Sequence, residues 1–90
     1  MDVTIVTGPQ GSGKSLTATK LATGAYATLY SEAALQSLPA IPDTLIVEEF
    51  TPSETMIKTL QAKPLSNLII CVDDWRGLVE VLKDFEVVRV

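Results

Sequence analysis

Histidine is absent from the 90-residue sequence, and cysteine occurs only once, at Cys71. An intramolecular disulfide is therefore impossible, and no cluster of histidine and cysteine residues exists that could bind a metal. Cys71 lies inside an apolar run, which is typical of a reduced core thiol in a cytosolic protein. The fold must therefore depend on its hydrophobic core, which is thin in a domain of this length.

Basic clusters and long apolar runs are also absent. Seven lysines and arginines against eleven acidic residues give a formal charge of −4, so nonspecific binding to nucleic acid has little electrostatic support. No apolar run approaches the ~20 residues of a membrane-spanning helix, and the acidic second residue is unlike the start of a signal peptide. We therefore expect a cytoplasmic protein without a membrane partner, and no strong signal favours a nucleic-acid partner.

Apolar strand patterns alternate with helical patterns along the chain. The hydrophobic fraction is 47% and the charged fraction 20%, which is typical of a globular protein, and the length favours one domain over residues 1–90. The patterns predict strands at residues 3–7, 26–30, 44–49, 68–72 and 85–90, and helices at 13–23, 32–38, 52–63 and 75–83. Because the apolar runs are continuous, the strands should be covered on both faces. This predicts a five-stranded parallel sheet in a three-layer α/β/α sandwich.

Three helix starts carry capping signals, and Ser31 is the predicted N-cap of the second helix. Thr51 is the predicted N-cap of the third helix, with Pro52 at its first position and Glu54 completing a capping box. Asp73 or Asp74 is predicted to cap the fourth helix.

Residues 8–15, Gly-Pro-Gln-Gly-Ser-Gly-Lys-Ser, fit the pattern G-x-x-x-x-G-K-[ST] of a phosphate-binding loop. This segment, the glycine loop, lies between a predicted strand and a predicted helix. Its glycines allow φ values that other residues resist, and a helix start leaves N–H groups without partners, so the amides can converge on a phosphate. In this pattern Lys14 would reach the β- and γ-phosphates, and Ser15 would bind Mg²⁺.

Two further predicted strands end in pairs of carboxylates, Glu48-Glu49 and Asp73-Asp74. Because ligands of parallel α/β sheets bind at the carboxyl ends of the strands, both pairs should converge with the glycine loop on one site. Each pair also has a simpler interpretation. Glu48 and Glu49 can be a solvated strand end, and one aspartate can be a helix cap.

With these motifs the chain resembles the P-loop NTPases over nearly its whole length. The glycine loop corresponds to the Walker A motif, and residues 45–49, Leu-Ile-Val-Glu-Glu, look like a Walker B motif. The second glutamate resembles the additional-strand, catalytic-glutamate branch, which includes RecA-like and AAA-type ATPases. The resemblance implies strand order 5-1-4-3-2, a minimal single nucleotide-binding domain, ATP and Mg²⁺ as ligands, and hydrolase activity.

The resemblance also implies a role for each matching residue. Glu48 would hold Mg²⁺ through water, and Ser15 would bind the metal through its hydroxyl. Lys14 and Glu49 would be catalytic, and Asp73 falls at the position of a sensor residue. The implied nucleotide-binding residues are Gly8, Pro9, Gln10, Gly11, Ser12, Gly13, Lys14, Ser15 and Leu16.

The chain departs from the family pattern at three points. Glu48 stands where the family has aspartate, and Asp73 stands where it has asparagine or threonine. No arginine finger is evident, because Arg76 and Arg89 are the only arginines. These departures lower the expected rate of hydrolysis more than the expected binding. A neighbouring copy in a homo-oligomer, or another protein partner, could supply an arginine.

Three functions stay open at this stage. The leading hypothesis is a slow Mg²⁺-dependent ATPase, in which ATP is favoured over GTP because the guanine-reading pattern Asn/Thr-Lys-x-Asp does not follow the fourth strand. A non-catalytic nucleotide-binding switch or interaction module would explain the small set of catalytic groups. A small nucleotide kinase would need an acceptor site and an arginine-bearing lid, for which the chain has little room.

Overall fold

The strands pair as a single parallel sheet in the computed structural model, which describes residues 1–90. In chain order the elements are β1 (Asp2–Thr7), α1 (Lys14–Leu21), β2 (Tyr26–Leu29), a first 3₁₀ helix (Glu32–Ser37), β3 (Thr44–Val47), α2 (Glu54–Gln61), β4 (Asn67–Val72), a second 3₁₀ helix (Arg76–Leu78) and β5 (Glu86–Arg89). Neither of the two eight-residue α-helices is long and apolar enough to cross a bilayer.

The strand order is β2-β3-β4-β1-β5, which is the predicted order read from the opposite edge. All four strand pairs are parallel, and the last residues of β1 and β4, Thr7 and Val72, lie opposite each other. The prediction of a small α/β domain with a five-stranded parallel sheet is therefore confirmed. Because β3, β4 and β1 are the three central strands, the segments that follow them emerge side by side at one edge of the sheet.

Side chains of the central strands alternate between two hydrophobic clusters. Successive residues of a strand point to opposite faces, so Leu45 and Val47 of β3 join the larger cluster, whereas Ile46 joins the smaller one. The larger cluster includes three buried residues of α2, and the smaller cluster includes Ala18, the only buried residue of α1. Burial on both faces explains why these strands are continuous apolar runs.

The predicted helix over residues 75–83 is wrong, because only Arg76–Leu78 forms a short 3₁₀ helix. Glycine at position 77 costs helix stability, and the Asp74 side chain accepts a hydrogen bond from the Arg76 backbone N–H at 3.0 Å, which favours a turn. Leu78 and Leu82 are nevertheless buried, and the Trp75 ring packs edge-on against Phe85. Apolar spacing therefore identified buried residues but not their backbone conformation.

The predicted N-cap Thr51 is also wrong, because α2 is capped by Ser53. The Ser53 hydroxyl accepts a hydrogen bond from the Met56 N–H at 3.2 Å. The Ser53 N–H donates to the carboxylate of Glu32 at 2.7 Å, so a distant residue takes the role predicted for Glu54 in the capping box. Glu54 instead pairs with Lys58 one turn along the helix.

Candidate functional site

A cleft of about 850 Å³ opens at the carboxyl edge of the sheet, where the segments after β1, β3 and β4 meet. The glycine loop contributes five of its fourteen lining residues, and the segments at the ends of β3 and β4 contribute four each. The remaining residue, Tyr30, follows the edge strand β2. Parallel strand topology therefore brings the glycine loop and both carboxylate pairs to one cleft, as the sequence predicted.

The glycine loop has the backbone that its sequence predicts. Gly11 and Gly13 have φ values of +82° and +90°, in the left-handed region that favours glycine, and Gly13 is the N-cap of α1. The N–H groups of Gln10, Gly11 and Gly13 donate to no group of the protein. The first N–H groups of α1, from Lys14 onward, likewise have no partner earlier in the helix. A row of unpaired amide donors therefore borders the cleft.

Gly8 is needed for a different reason, which is close packing at the base of the loop. A Cβ atom at this position would clash with the carbonyl oxygen of Val90 and would lie 2.8 Å from the Ser12 hydroxyl. Val90 is held there by the hydrogen bond from its N–H to the Thr7 carbonyl, at 2.9 Å. The end of β5 thus supports the start of the loop.

Lys14 folds back over the loop and into the cleft. Its ammonium Nζ donates to the carbonyl oxygens of Gly8 at 2.7 Å and Pro9 at 3.3 Å. It also donates to the Asp73 carboxylate at 2.7 Å, which forms an ion pair between the glycine loop and the end of β4. The Lys14 side chain is only 16% exposed, so its charge is directed into the cleft and away from bulk solvent.

The Ser15 hydroxyl donates a short hydrogen bond to the Glu48 carboxylate. Glu48 is 8% exposed and forms no ion pair with any lysine or arginine of the chain. A buried carboxylate without a cationic partner is unfavourable, which fits a site completed by a cation.

The oxygens of Ser15 and Glu48 are hard ligands of the type that Mg²⁺ prefers. No group of three or more His, Cys, Asp or Glu residues is arranged to bind a metal. Mg²⁺ usually takes one or two protein ligands and completes its shell with water and phosphate oxygens. The two residues therefore fit Mg²⁺ bound together with a phosphate ligand.

Glu49 is the only non-glycine residue with a positive φ, at +68°. This conformation costs an L-residue about 1–2 kcal/mol. Glu49 lines the cleft, and its exposed side chain makes no hydrogen bond or ion pair that would compensate for this cost. Strained residues of this kind concentrate at functional sites.

The two aspartates after β4 have different partners. Asp74 binds the Arg76 guanidinium through both carboxylate oxygens, at 3.1 and 2.9 Å, and these hydrogen bonds lower the Asp74 pKa to about 2. Asp73 binds Lys14 with its side chain, and its carbonyl accepts a hydrogen bond from the Thr7 hydroxyl at 3.1 Å. Asp74 therefore makes a local turn contact, but Trp75 is the N-cap of the second 3₁₀ helix and no side chain caps it, so the prediction that Asp73 or Asp74 is the cap is wrong. A sensor role for Asp73 stays a prediction.

The cleft gathers most, but not all, of the predicted site residues. Lys14, Ser15, Glu48, Glu49 and Asp73 line it, together with Gln10, Gly11 and Gly13. Four predicted nucleotide-binding residues lie outside the lining: Gly8, Pro9, Ser12 and Leu16. Leu16 is 61% exposed, and the Ser12 hydroxyl is buried without a hydrogen-bond partner. Neither Arg76 nor Arg89 lines the cleft.

Several cleft residues were not predicted from the sequence. Tyr30, Phe50 and Thr51 line the end of the cleft beside β2 and β3, and their place directly after two strand ends was the available signal. Cys71 also lines the cleft. Burial, with a further contribution from the Glu48 carboxylate, raises its pKa to about 11, so Cys71 is protonated and unreactive at neutral pH.

Comparison of this chain with protein-family models, with curated proteins and with solved structures finds no match. Its function is therefore inferred from the geometry and chemistry of the cleft.

Proposed function

We propose that this protein binds ATP with Mg²⁺ in the cleft and slowly hydrolyses the bond between the β- and γ-phosphates. The observation that carries the proposal is the convergence of three chemically distinct groups. The Lys14 ammonium, the contacting Ser15 and Glu48 oxygens, and the Glu49 carboxylate all line one cleft beside unpaired amides.

We also infer that the domain is a minimal P-loop NTPase with a three-layer α/β/α arrangement. The inference is supported by the strand order, by the position of the glycine loop between β1 and α1, and by the two hydrophobic clusters that include α1 and α2. The glycine loop follows the end of the central strand β1 and precedes α1, which leads to the edge strand β2. The loop therefore lies at the carboxyl edge, where α/β sheets bind ligands.

In this proposal each residue has a distinct task. The amides of the glycine loop and the Lys14 ammonium would bind the phosphate oxygens, and Ser15 and Glu48 would hold the metal. The metal supplies charge neutralisation on the phosphates. Glu49 would orient a water molecule and accept its proton as the water oxygen bonds to the γ-phosphorus. The bond from that phosphorus to the bridging oxygen breaks, and ADP leaves with the electron pair.

The proposed rate is slow because no arginine lines the cleft. An arginine finger contributes about 10³–10⁵ in rate in enzymes that have one. A homo-oligomer or another protein could supply this group. The preference for ATP rests on the absence of a guanine-reading pattern after β4, and a competition titration in which GTP displaces ATP at equal concentration would contradict it.

Calorimetry of the Lys14→Ala variant tests the binding site. Loss of the ammonium removes a charge-assisted hydrogen bond to phosphate, worth about 1.5–3 kcal/mol, so we expect MgATP affinity to fall by about 10- to 100-fold. Lys20→Ala is the matched control, because Lys20 is an exposed lysine on the same helix and does not line the cleft. Unchanged affinity in Lys14→Ala would reject the site.

A non-catalytic nucleotide switch is the second candidate, and the charge of the cleft favours it. Four carboxylates and a single ammonium line the cleft, which is a poor arrangement for stabilising negative charge in a transition state. Phosphate release by the wild-type protein and by Glu49→Gln separates the two functions. An ATPase should lose about 10²–10⁴ in rate in the variant. Binding without release in either protein would support the switch.

A further inference from the structure

We propose that Asp73 is a specificity-determining residue of this cleft. Because of Asp73, the site binds a polyphosphate already neutralised by a divalent cation in preference to the same polyphosphate without metal. The Asp73 carboxylate occupies, as an internal anion, the contact with Lys14 that a phosphate oxygen would take. The proposal rests on the proposed function, because it concerns the ligand of the same cleft.

The hydrogen bonds of Lys14 show why a phosphate must compete with Asp73. An ammonium group has three N–H donors, and Lys14 Nζ has three acceptors: the carbonyl oxygens of Gly8 and Pro9 and the Asp73 carboxylate. The carbonyls belong to the loop backbone and cannot withdraw without deforming it. The Asp73 side chain is 75% exposed and can rotate into solvent. It is therefore the acceptor that an incoming phosphate displaces.

The backbone of Asp73 is held in place independently of its side chain. Thr7 of β1 and Val72 of β4 are paired in the sheet, and the Thr7 hydroxyl donates to the Asp73 carbonyl at 3.1 Å. The carboxylate makes no other hydrogen bond or ion pair than that with Lys14. Asparagine, which has the same shape without the charge, should therefore leave the fold and the cleft unchanged.

Once displaced from Lys14, the Asp73 carboxylate repels a metal-free polyphosphate more strongly than a metal-bound one. Asp74 is paired with Arg76, whereas Glu48 and Glu49 have no cationic partner. Once a phosphate oxygen accepts the hydrogen bond from Lys14, the released Asp73 carboxylate lies close to the ligand and repels it. A metal-free triphosphate carries about four negative charges, and one bound Mg²⁺ cancels two of them. The repulsion by Asp73 is therefore about halved for the metal complex.

The affinity of Asp73→Asn for ATP, measured by calorimetry at low salt with EDTA and again with Mg²⁺, tests this inference. Without metal we expect binding about tenfold tighter than wild type, the equivalent of ~1.4 kcal/mol. With Mg²⁺ we expect a smaller gain, between about threefold and tenfold, because freeing Lys14 from Asp73 helps both ligands equally whereas the repulsion by Asp73 is about halved. Both gains should shrink at high salt.

Asp74→Asn is the matched control, because it removes the same formal charge from the same cleft but does not contact Lys14. We expect its metal-free gain to stay below about twofold, since Arg76 already neutralises Asp74. Equal gains in the two variants would overturn the inference, because net charge alone would then explain them. A gain in Asp73→Asn that is equal with and without Mg²⁺, or no gain at all, would also overturn it.

The outcomes separate this inference from the proposed function. If wild type binds MgATP and Lys14→Ala does not, the proposed function survives whatever Asp73→Asn does. If neither wild type nor Asp73→Asn binds ATP with Mg²⁺ or with EDTA, the proposed function fails and the role of Asp73 fails with it. Metal-free binding that is detectable only in Asp73→Asn would support both.

Discussion

Gly13 is the position at which a single methyl group most directly tests the loop geometry. Its φ is +90°, and a Cβ atom built there would meet nothing within 4 Å. The cost of Gly13→Ala is therefore conformational rather than steric. Gly77 offers a matched control, because a Cβ at that position also meets nothing within 4 Å while its φ lies outside the left-handed region.

The magnitude follows from two opposing terms. Holding an L-residue in the left-handed region costs about 1–2 kcal/mol, whereas replacing glycine with alanine gains about 0.4–1 kcal/mol by restricting the unfolded chain. Gly13→Ala should therefore lower the free energy of unfolding by about 1 kcal/mol. Only the restriction of the unfolded chain acts at Gly77, so Gly77→Ala should raise the free energy of unfolding by about 0.4–1 kcal/mol.

Urea denaturation and thermal melting of both variants provide the measurement. In a domain of this size 1 kcal/mol corresponds to about 4–8 °C in Tm, so the two variants should melt on opposite sides of the wild type. Gly13→Ala should also bind MgATP more weakly, because rotation of the chain at the N-cap redirects the amides that begin α1. A Gly13→Ala protein with wild-type stability and wild-type affinity would refute the reasoning.

Two further predictions concern stability. Ser53→Ala should lower the free energy of unfolding of the protein by ~1 kcal/mol through loss of the α2 cap, while Thr51→Ala should change it by less than about 0.5 kcal/mol; equal effects in urea titrations would contradict this assignment. Stability should also fall as the pH rises from about 9, the ordinary pKa of a thiol, through about 11, the pKa of folded Cys71, because the unfolded thiol releases its proton first. Comparison with Cys71→Ala isolates this contribution, and identical pH profiles above pH 9 would count against it.

Much of the fold could be predicted from the sequence because its strands have a strong local signal. The runs that became β3 and β4 are apolar on both faces, which is expected only of strands in the middle of a parallel sheet. The glycine loop was predicted for a similar reason, since glycine at positions 11 and 13 matches backbone φ values that other residues resist. The convergence of the loop with Glu48, Glu49 and Asp73 then followed from parallel topology.

The wrong predictions have the opposite cause, because at these positions a tertiary contact outweighed the local sequence signal. Thr51 has the residue type and spacing of an N-cap, but Ser53 caps α2. The Ser53 N–H donates a hydrogen bond to the carboxylate of Glu32, 21 residues away in the sequence. Residues 75–83 have helical apolar spacing, but Leu78 reaches the core from a short 3₁₀ helix and Leu82 from the irregular segment that follows it. Apolar spacing reports burial, and several backbone conformations can satisfy the same burial.

Residue order along the chain was enough to specify the strands, the conformation available to the glycine loop and the types of residue that reach the cleft, because each depends on local backbone preference or on the spacing of apolar residues. Which charges meet depends instead on the folded arrangement of the strands. This arrangement pairs Lys14 with Asp73 across 59 residues, leaves Glu48 buried without a cation and places Glu49 in a left-handed conformation. Charge interactions depend on distance through space, and in a parallel sheet that distance is determined by strand order rather than by separation along the chain.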